Sequence, residues 1–334
     1  MTLRNMSAAI AMAMDSAAAS QKITMIGDSA PSVYFDRDLE QIKKKTYDIK
    51  YPELRGRDFV PSSPEPVPPG ADRFTFRTFD IAGLWNVITK VGQNLPLANL
   101  FGTEQTGVVE TIGNAAGWTM DDLRRAAFMG RPLSGEQMRA AALILERGID
   151  EIIAFGLVSR GQPLVRGLLN IVNASSGTVA TSTGGHTTWD DKLGEDPNLV
   201  LADIFSAFNA TKTLTKETET PNTLLLPPSA MRLLQQRNRS GATDRTLIEE
   251  LRAKLPAVTR IDEWNRLETA GSGNTRRAVL YTADQNHLWF EIPQELEIGA
   301  VLQKDHFAWE VPVTARIGGV VCPYPLSVRY FDGF

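Results

Sequence analysis

Proline places the strongest constraint on the first part of this chain. Residues 21–70 carry seven prolines: Pro31, Pro52, Pro61, Pro64, Pro66, Pro68 and Pro69. Proline has no backbone N–H to donate and occurs in sheets only at edges or bulges, so the segment cannot form a ladder within itself. We therefore predict an extended arm that lies on another surface, and the favoured surface is a second copy of the chain. This pattern favours an assembly protein over an enzyme.

The composition is that of a folded globular protein. The 334 residues are 43% hydrophobic and 22% charged, which is enough for one large domain or two modest ones. No apolar run approaches the roughly 20 residues of a membrane span, so no membrane is expected. Met6, Ile10 and Met14 predict a weak amphipathic helix at the start of the sequence, not a signal peptide.

Net charge and cysteine content indicate which further classes of protein are excluded. The formal net charge of −4 argues against a strongly basic nucleic-acid-binding protein, so any contact with DNA is expected to be weak and local. Cys322 is the single cysteine and cannot form an internal disulfide. We expect Cys322 to be a small buried hydrophobic residue in a protein that folds in a reducing cytoplasm.

A two-stranded excursion is predicted after the arm. Phe74–Ile81 is aromatic and β-branched with near alternation, and Leu84–Val91 is a second extended run. A turn-rich stretch follows at Gly92–Gly107, and Val108–Ile112 returns. Because an isolated two-stranded ribbon is marginal in water, this one is also expected to lie on another surface.

One long amphipathic helix follows a short one. Thr119 and Asp122 predict the capped start of a short helix that ends at Gly130. Ser134 is the predicted N-cap of the next helix, which spans residues 134–155 and is about 30 Å long. Its apolar residues recur every three or four positions: Met138, Ala142, Leu145, Ile149, Ile152 and Ile153. We call this helix the spine.

The second half of the sequence predicts a compact α+β layer. Asp196 and Pro197 open a helix that runs through Phe208. Its predicted buried residues are Leu199, Ala202, Phe205 and Phe208. The later predicted elements are strands at 223–226, 257–261, 278–282, 288–292 and 307–314, and helices at 230–236 and 245–255.

No catalytic or metal-binding pattern appears. The three histidines, His186, His287 and His306, are isolated, and the sequence has no H-E-x-x-H, C-x-x-C, nucleophile elbow or phosphate-binding loop. We predict no catalytic residue, no metal and no cofactor. The adjacent acidic pair Asp190 and Asp191 is expected in a solvated loop.

The order of these parts resembles that of the major capsid proteins of tailed bacteriophages, which have the Hong Kong 97 fold shared with encapsulin shells. The resemblance covers nearly the whole chain and extends to local phrases of the encapsulin-like branch. These phrases are NLPLANLFG at Asn94–Gly102, WTMDDL at Trp118–Leu123, GRPLS at Gly130–Ser134, GLLN at Gly167–Asn170 and the closing PVTARIGGVVCPYPLSVRYFDG at residues 312–333.

The resemblance implies an α+β Hong Kong 97-type capsid fold with a defined domain order. Residues 1–55 would form the N-terminal arm and residues 56–106 the extended β-ribbon loop. A peripheral domain would take residues 107–167, with the spine at 134–155. The axial domain would take residues 168–299, and residues 300–334 would return to the peripheral domain as closing strands.

The resemblance also implies two candidate surfaces. The arm and ribbon would bury side chains on neighbouring subunits, and a Gly- and Thr-rich loop at Ser175–Thr188 would form the rim around capsomer axes. The candidate intersubunit contacts are Phe59, Phe74, Phe76, Arg77, Phe79, Trp85 and Lys90, and the candidate rim residues are Gly177, Thr178, Gly184, Gly185 and His186.

The expected function is that of a major capsid protein. Hexamers and pentamers would close into an icosahedral shell that encloses double-stranded DNA without sequence specificity. The expected partners are a separate scaffolding protein and a portal, with decoration proteins left open, and assembly would take place in the host cytoplasm. The alternatives are an encapsulin-type nanocompartment and, more remotely, an oligomeric α+β enzyme. Crosslinking between subunits is not predicted, because no lysine, asparagine and glutamate trio can be aligned.

Overall fold

The computed structural model describes residue 49 and residues 51–87, 96–130, 133–159, 161–239 and 245–334. The chain divides into two compact units, residues 1–52 and 53–334, and the description below concerns the second. The predicted N-terminal helix and most of the arm lie outside the described residues. The elements are numbered in chain order.

The described helices span 4 to 23 residues. They are α1 Gly56–Phe59, α2 Met120–Met129, α3 Leu133–Phe155, α4 Trp189–Glu195, α5 Pro197–Leu214, α6 Pro228–Gln236 and α7 Leu247–Lys254.

The described strands pair in several sheets. They are β1 Arg73–Ala82, β2 Asn99–Val108, β3 Glu110–Thr119, β4 Leu157–Ser159, β5 Gln162–Val165, β6 Ser175–Thr178, β7 Thr223–Leu226, β8 Arg260–Glu263, β9 Arg277–Tyr281, β10 Trp289–Glu291, β11 Gln294–Ile298, β12 Leu302–Asp305, β13 Ala308–Ile317, β14 Gly319–Val321 and β15 Val328–Asp332.

A five-stranded sheet separates two hydrophobic cores. Its strand order is β6-β15-β9-β7-β8. Alternating residues point to opposite faces of a strand. Leu225, Val279 and Tyr330 accordingly belong to the core shared with the spine α3, whereas Leu280 and Phe331 belong to the core under helices α4 to α7. The sheet is therefore covered on both faces.

A second sheet supports the spine. Strand β13 pairs along one edge with β3, from Ala308↔Thr119 to Ile317↔Glu110, and along the other with β11 and β12. Helix α3 lies on β3 and β13. Ile149 and Ile153 are fully buried there, as the spine prediction requires, although Ala141 is buried where Ala142 was expected. The helix begins at Leu133, so Ser134 lies within it.

The carboxylate of Asp150 joins three parts of this core. Asp150 lies on α3 and is buried, and its Oδ1 accepts a hydrogen bond of 2.7 Å from the backbone N–H of Gly56. Its Oδ2 lies 3.2 Å from a guanidinium nitrogen of Arg266, which follows β8. A Cβ at position 56 would lie 2.8 Å from Asp150 Oδ1, so glycine permits this approach.

The end of the predicted arm lies on its own subunit, which corrects the expectation for residues 56–70. Phe59 is 1% exposed, and its ring centroid lies 5.3 Å from that of Trp264. Ser62 bridges to Phe290 in a parallel pair, and Val67 N–H donates to Glu291. Prolines prevent a ladder within the segment, but the residues between them still pair with another strand.

The second strand of the ribbon lies later than predicted. Residues 84–87 form no strand, and the rest of Leu84–Val91 lies outside the described residues. The partner of β1 is β2, inside the predicted turn-rich stretch. Glycines there were interpreted as turn signals, but Gly102 and Gly107 lie under Phe79 and Phe74 of the opposite strand. Glycine in a strand often marks such a close approach.

The α+β layer matches the prediction, with shifts of boundaries. Helix α5 runs to Leu214, beyond the predicted end at Phe208. Phe208 is buried as predicted, but Val200 and Ile204 are buried in place of Leu199, Ala202 and Phe205. Apolar residues occupy several faces of this helix, so the sequence does not identify the buried one. Asp190 and Asp191 lie in the first turn of α4, not in a loop.

Several strands cross the domain boundary that the resemblance implied. Strands β10 and β11 were assigned to the axial domain, but they pair with β14 and β13. Conversely, β15 was assigned to the peripheral return, but it lies between β6 and β9 in the five-stranded sheet. Strand pairing over long sequence separations decides this, and local patterns do not encode it.

A buried ion pair lies under the five-stranded sheet. The side chains of Lys192 on α4 and Asp203 on α5 are 2% and 9% exposed, and Nζ lies 2.7 Å from Oδ2. Lys192 also donates to the carbonyl of Ala180, and Trp189 Nε1–H donates to Asp203. Burial raises the pKa of Asp203, while the hydrogen bonds from Lys192 and Trp189 oppose that rise.

Substitution of Gly319 with alanine is expected to destabilise the subunit. Gly319 has φ +79°, and a Cβ would lie 1.9 Å from Val165 Cγ1 and 2.7 Å from the Arg166 carbonyl. Backbone strain of about 1–3 kcal/mol adds to the steric clash. We therefore expect the free energy of unfolding of the unassembled subunit, measured in urea, to fall by at least about 2 kcal/mol. The control Gly148→Ala lies in α3 with open space around it and should stabilise by about 0.5–1 kcal/mol. Equal effects of the two substitutions would contradict this account.

Removal of Lys192 is expected to leave a buried, unpaired charge. Lys192→Met should lower the free energy of unfolding by about 3–5 kcal/mol at pH 7, and Lys192→Met with Asp203→Asn should recover part of the loss. Because burial raises the pKa of Asp203, its protonated form favours the folded state. The deficit should therefore shrink as the pH falls through that raised pKa. Urea titrations at pH 7 and at pH 5 measure both effects, and a deficit that grows at pH 5 would refute the assignment.

Candidate intersubunit surfaces

The ribbon is anchored to the subunit at its base. β1 and β2 pair without interruption from Arg73↔Val108 to Ala82↔Asn99. The Phe74 ring covers Gly107 and lies close to Gly318, and the Phe76 ring meets Trp289 edge-on at 6.0 Å. Both phenylalanines are half-buried on their own subunit. The base of the ribbon is therefore part of the folded unit.

Beyond this base the ribbon exposes apolar side chains. Phe79 and Ile81 are 65% and 77% exposed, and Ile81 pairs directly with exposed Leu100, so the three share one face. Trp85 in the following loop is 87% exposed. The other exposed apolar residues of this region are Leu84, Val87, Leu97 and Phe101. So many exposed apolar side chains in one short region are typical of an interaction site. We call residues 79–87 and 97–101 the ribbon patch.

The remaining candidate contacts lie outside the ribbon patch. Arg77 Nε donates to Glu104 across the ribbon at 2.8 Å, and both side chains are largely exposed. Lys90 lies outside the described residues. Phe59 is buried in the core of its own subunit, so we no longer include it among contacts to a neighbour. Ile81, Leu97 and Leu100 were not among the predicted contacts, although apolar residues at successive ribbon positions indicate such a surface.

The candidate rim residues form two structures instead of one loop. Gly177 and Thr178 lie in β6, which is the edge strand of the five-stranded sheet and pairs in parallel with β15. Gly184, Gly185 and His186 lie in a loop beside it, where Gly185 has φ +85° and His186 is exposed.

The loop is tied to helix α4. Ser182 Oγ and the Gly184 N–H both donate to the carboxylate of Glu195, and the Ser182 N–H donates to the carbonyl of His186 at 2.8 Å. These bonds give the loop a defined shape next to the edge strand. It is thus able to present a fixed surface to a neighbouring molecule.

The described residues show no cluster of metal-ligating side chains, and none of the described helices is long and apolar enough to cross a bilayer. The two ring nitrogens of His287 lie 3.2 Å from carboxylate oxygens of Glu219 and Asp284. Burial raises the pKa of the half-buried Cys322 thiol to about 11, so this cysteine is protonated at neutral pH.

Comparisons with known proteins identify the family. A family model described as "Major capsid protein" matches residues 84–334, which is more than half of the chain. No curated protein matches the sequence.

Several solved structures share the fold. The capsid of Myoviridae phage XM1 has a TM-score of 0.78 at 15% identity, covering 91% of this chain and 100% of its own. A capsid of a native GTA particle has a TM-score of 0.58 at 11% identity, with coverages of 88% and 94%. A virus-like particle from Pyrococcus furiosus has a TM-score of 0.50 at 13% identity, with coverages of 82% and 90%.

The predicted α+β capsid fold is confirmed by these structural similarities, and the family by the match over residues 84–334. The chain belongs to the major capsid protein family and has the Hong Kong 97-type fold of tailed-bacteriophage capsids.

Proposed function

We propose that many copies of this chain close into an icosahedral shell of hexamers and pentamers that encloses the double-stranded DNA of a tailed bacteriophage. The family and the capsid fold support this proposal. The single observation that carries it is the ribbon patch, because a folded subunit gains nothing by exposing Phe79, Ile81 and Trp85 to water.

Burial of the ribbon patch on a neighbour supplies the driving force. Apolar surface removed from water contributes about 25 cal/mol per Å², so each ribbon adds a moderate stabilisation. A closed shell repeats this contact in every subunit, and many linked contacts give strong closure although each is weak. Moderate contacts also allow a misplaced subunit to dissociate during assembly.

The charge of the chain suits a container for DNA. A net charge of −4 gives no strong, salt-dependent attraction to the phosphate backbone. We propose that DNA is enclosed without sequence specificity and that a separate scaffolding protein and a portal take part in assembly in the host cytoplasm. As a member of the major capsid protein family, the chain is located in the virion capsid.

Electron microscopy of the purified product tests the shell directly. The chain is expressed alone and together with the products of neighbouring genes, and particles are imaged in negative stain. We expect icosahedral particles, and particles from infected cells that contain DNA. Particles that hold a cargo protein and no DNA would favour the nanocompartment alternative. A small oligomer under every condition would contradict the proposal.

Polar substitutions in the ribbon patch are expected to block assembly and leave the subunit folded. Phe79→Ser with Ile81→Ser removes two exposed apolar side chains. The free energy of unfolding of the unassembled subunit, measured in urea, should therefore change by no more than about 0.5 kcal/mol for each substitution. Shell yield, measured by sedimentation, should fall at least tenfold.

A matched control separates the patch from the ribbon as a whole. Thr103→Ala changes an exposed polar residue on the same ribbon and should leave shell yield near the wild-type value. Normal shells from the double serine variant would show that the ribbon patch does not drive closure.

A further inference from the structure

Arg329 occupies an unusual environment in the five-stranded sheet. It lies on β15 next to the edge strand β6, and its Nη1 donates to Ser175 Oγ at 2.7 Å. Its Nε is buried and has no hydrogen-bond partner among the described residues. Burial lowers the pKa of Arg329, as expected when a guanidinium loses water and gains no carboxylate.

A second arginine in the same sheet, Arg277, has acceptors for its guanidinium within the subunit. Arg277 on β9 binds Asp332 through two bonds of 2.7 Å and donates to the Leu169 carbonyl. Among the ion pairs of the described residues, none includes Arg329. A guanidinium has five N–H donors, so Arg329 has capacity for an acceptor that the described part of its own subunit does not provide.

A cavity of about 300 Å³ lies beside Arg329. Its lining includes Gly177, Lys192, Asp203, Arg329 and Phe331. Lys192 and Asp203 neutralise one another, so among the described lining residues the charge of Arg329 is left uncompensated. The cavity therefore favours an anionic group, and its volume, at the lower end of the range for small-ligand pockets, suits a single side chain.

Two features make this cavity reachable from outside the subunit. β6 is the edge of the sheet and pairs with no other described strand on its outer side. A Cβ at position 177 would lie 2.9 Å from Arg329 Nη2, so glycine keeps the space at the guanidinium open. An approaching side chain can thus come close to the arginine.

We propose that a carboxylate side chain from a second copy of this chain enters the cavity and pairs with Arg329 in the assembled shell. The proposal rests on the proposed function, since a ring of subunits places a different surface of the next copy against this edge. The chain supplies 39 acidic residues against 35 basic ones, so carboxylates are available on a neighbour. Arginine and carboxylate also match in geometry, because two parallel N–H···O bonds can form.

The test compares two arginine-to-methionine variants of the full chain. Arg329→Met removes a buried charge that pairs with no carboxylate of the described residues, so the urea midpoint of the unassembled subunit should stay equal or rise. Shell yield should fall at least tenfold. Arg277→Met instead breaks the pair with Asp332 inside the subunit, and it should lower the urea midpoint itself. Arg329→Lys should restore part of the yield, since lysine keeps the charge without the planar fork.

The structure of the wild-type shell provides the second readout. A map of the assembled particle should place a carboxylate oxygen of a neighbouring copy within hydrogen-bond distance of the Arg329 guanidinium. Wild-type yield from Arg329→Met, or a fall in midpoint as large as that of Arg277→Met, would overturn the proposal. So would shells of normal yield that lose DNA, because Arg329 would then serve a phosphate.

These outcomes separate the two proposals. If the wild-type chain forms shells and Arg329→Met forms them with equal yield, only the proposed intersubunit pair is refuted. A wild-type chain that forms no shell under any condition refutes the proposed function and the pair together.

Discussion

The buried carboxylate of Asp150 is the interaction on which the rest of the structure depends. It lies on the spine helix and accepts the Gly56 backbone N–H at 2.7 Å, while Arg266 approaches its other oxygen at 3.2 Å. One charge therefore connects the spine, the segment that precedes the ribbon and the edge of the five-stranded sheet. A buried carboxylate is stable only with such partners, so these elements must meet for the core to close. The ribbon leaves the subunit from this assembled base.

The structure divides its apolar residues between two uses. Phe59, Ile149, Ile153 and the interior of both sheets complete the core of the subunit. The ribbon patch, with Phe79 and Ile81, has no such cover within the described chain. The subunit can fold before it meets a neighbour, and association then buries what folding has left exposed. The edge strand β6 and Arg329 follow the same principle, because each has hydrogen-bonding capacity that the described part of the subunit leaves unused.

Local patterns predicted the elements better than their partners. The capped start of α2 at Thr119 and the stripe of the spine depend on neighbouring residues along one helix. The cap is as predicted, and the stripe is as predicted at Leu145, Ile149, Ile152 and Ile153. The second strand of the ribbon was misplaced, because Gly102 and Gly107 are typical of turns but serve here as space for Phe79 and Phe74. Of the candidate contacts, Phe79 and Trp85 are exposed, whereas Phe59 is buried. Arg329 gave no signal in the sequence, since its environment is made by residues far away along the chain.

The sequence by itself determined the order of the parts, the amphipathic spine, the α+β character of the second half and the resemblance to a capsid family. These follow from periodicity, capping and residue order, which act over short distances in the chain. Only the tertiary structure decided which strands pair, where the segment after the arm lies and which charges lack a partner. Those outcomes depend on contacts between residues about 90 to 230 positions apart, such as Gly56 with Asp150, β15 with β6 and the segment before the ribbon with β10. The free energy of such contacts depends on burial and geometry that form only when the whole chain is folded.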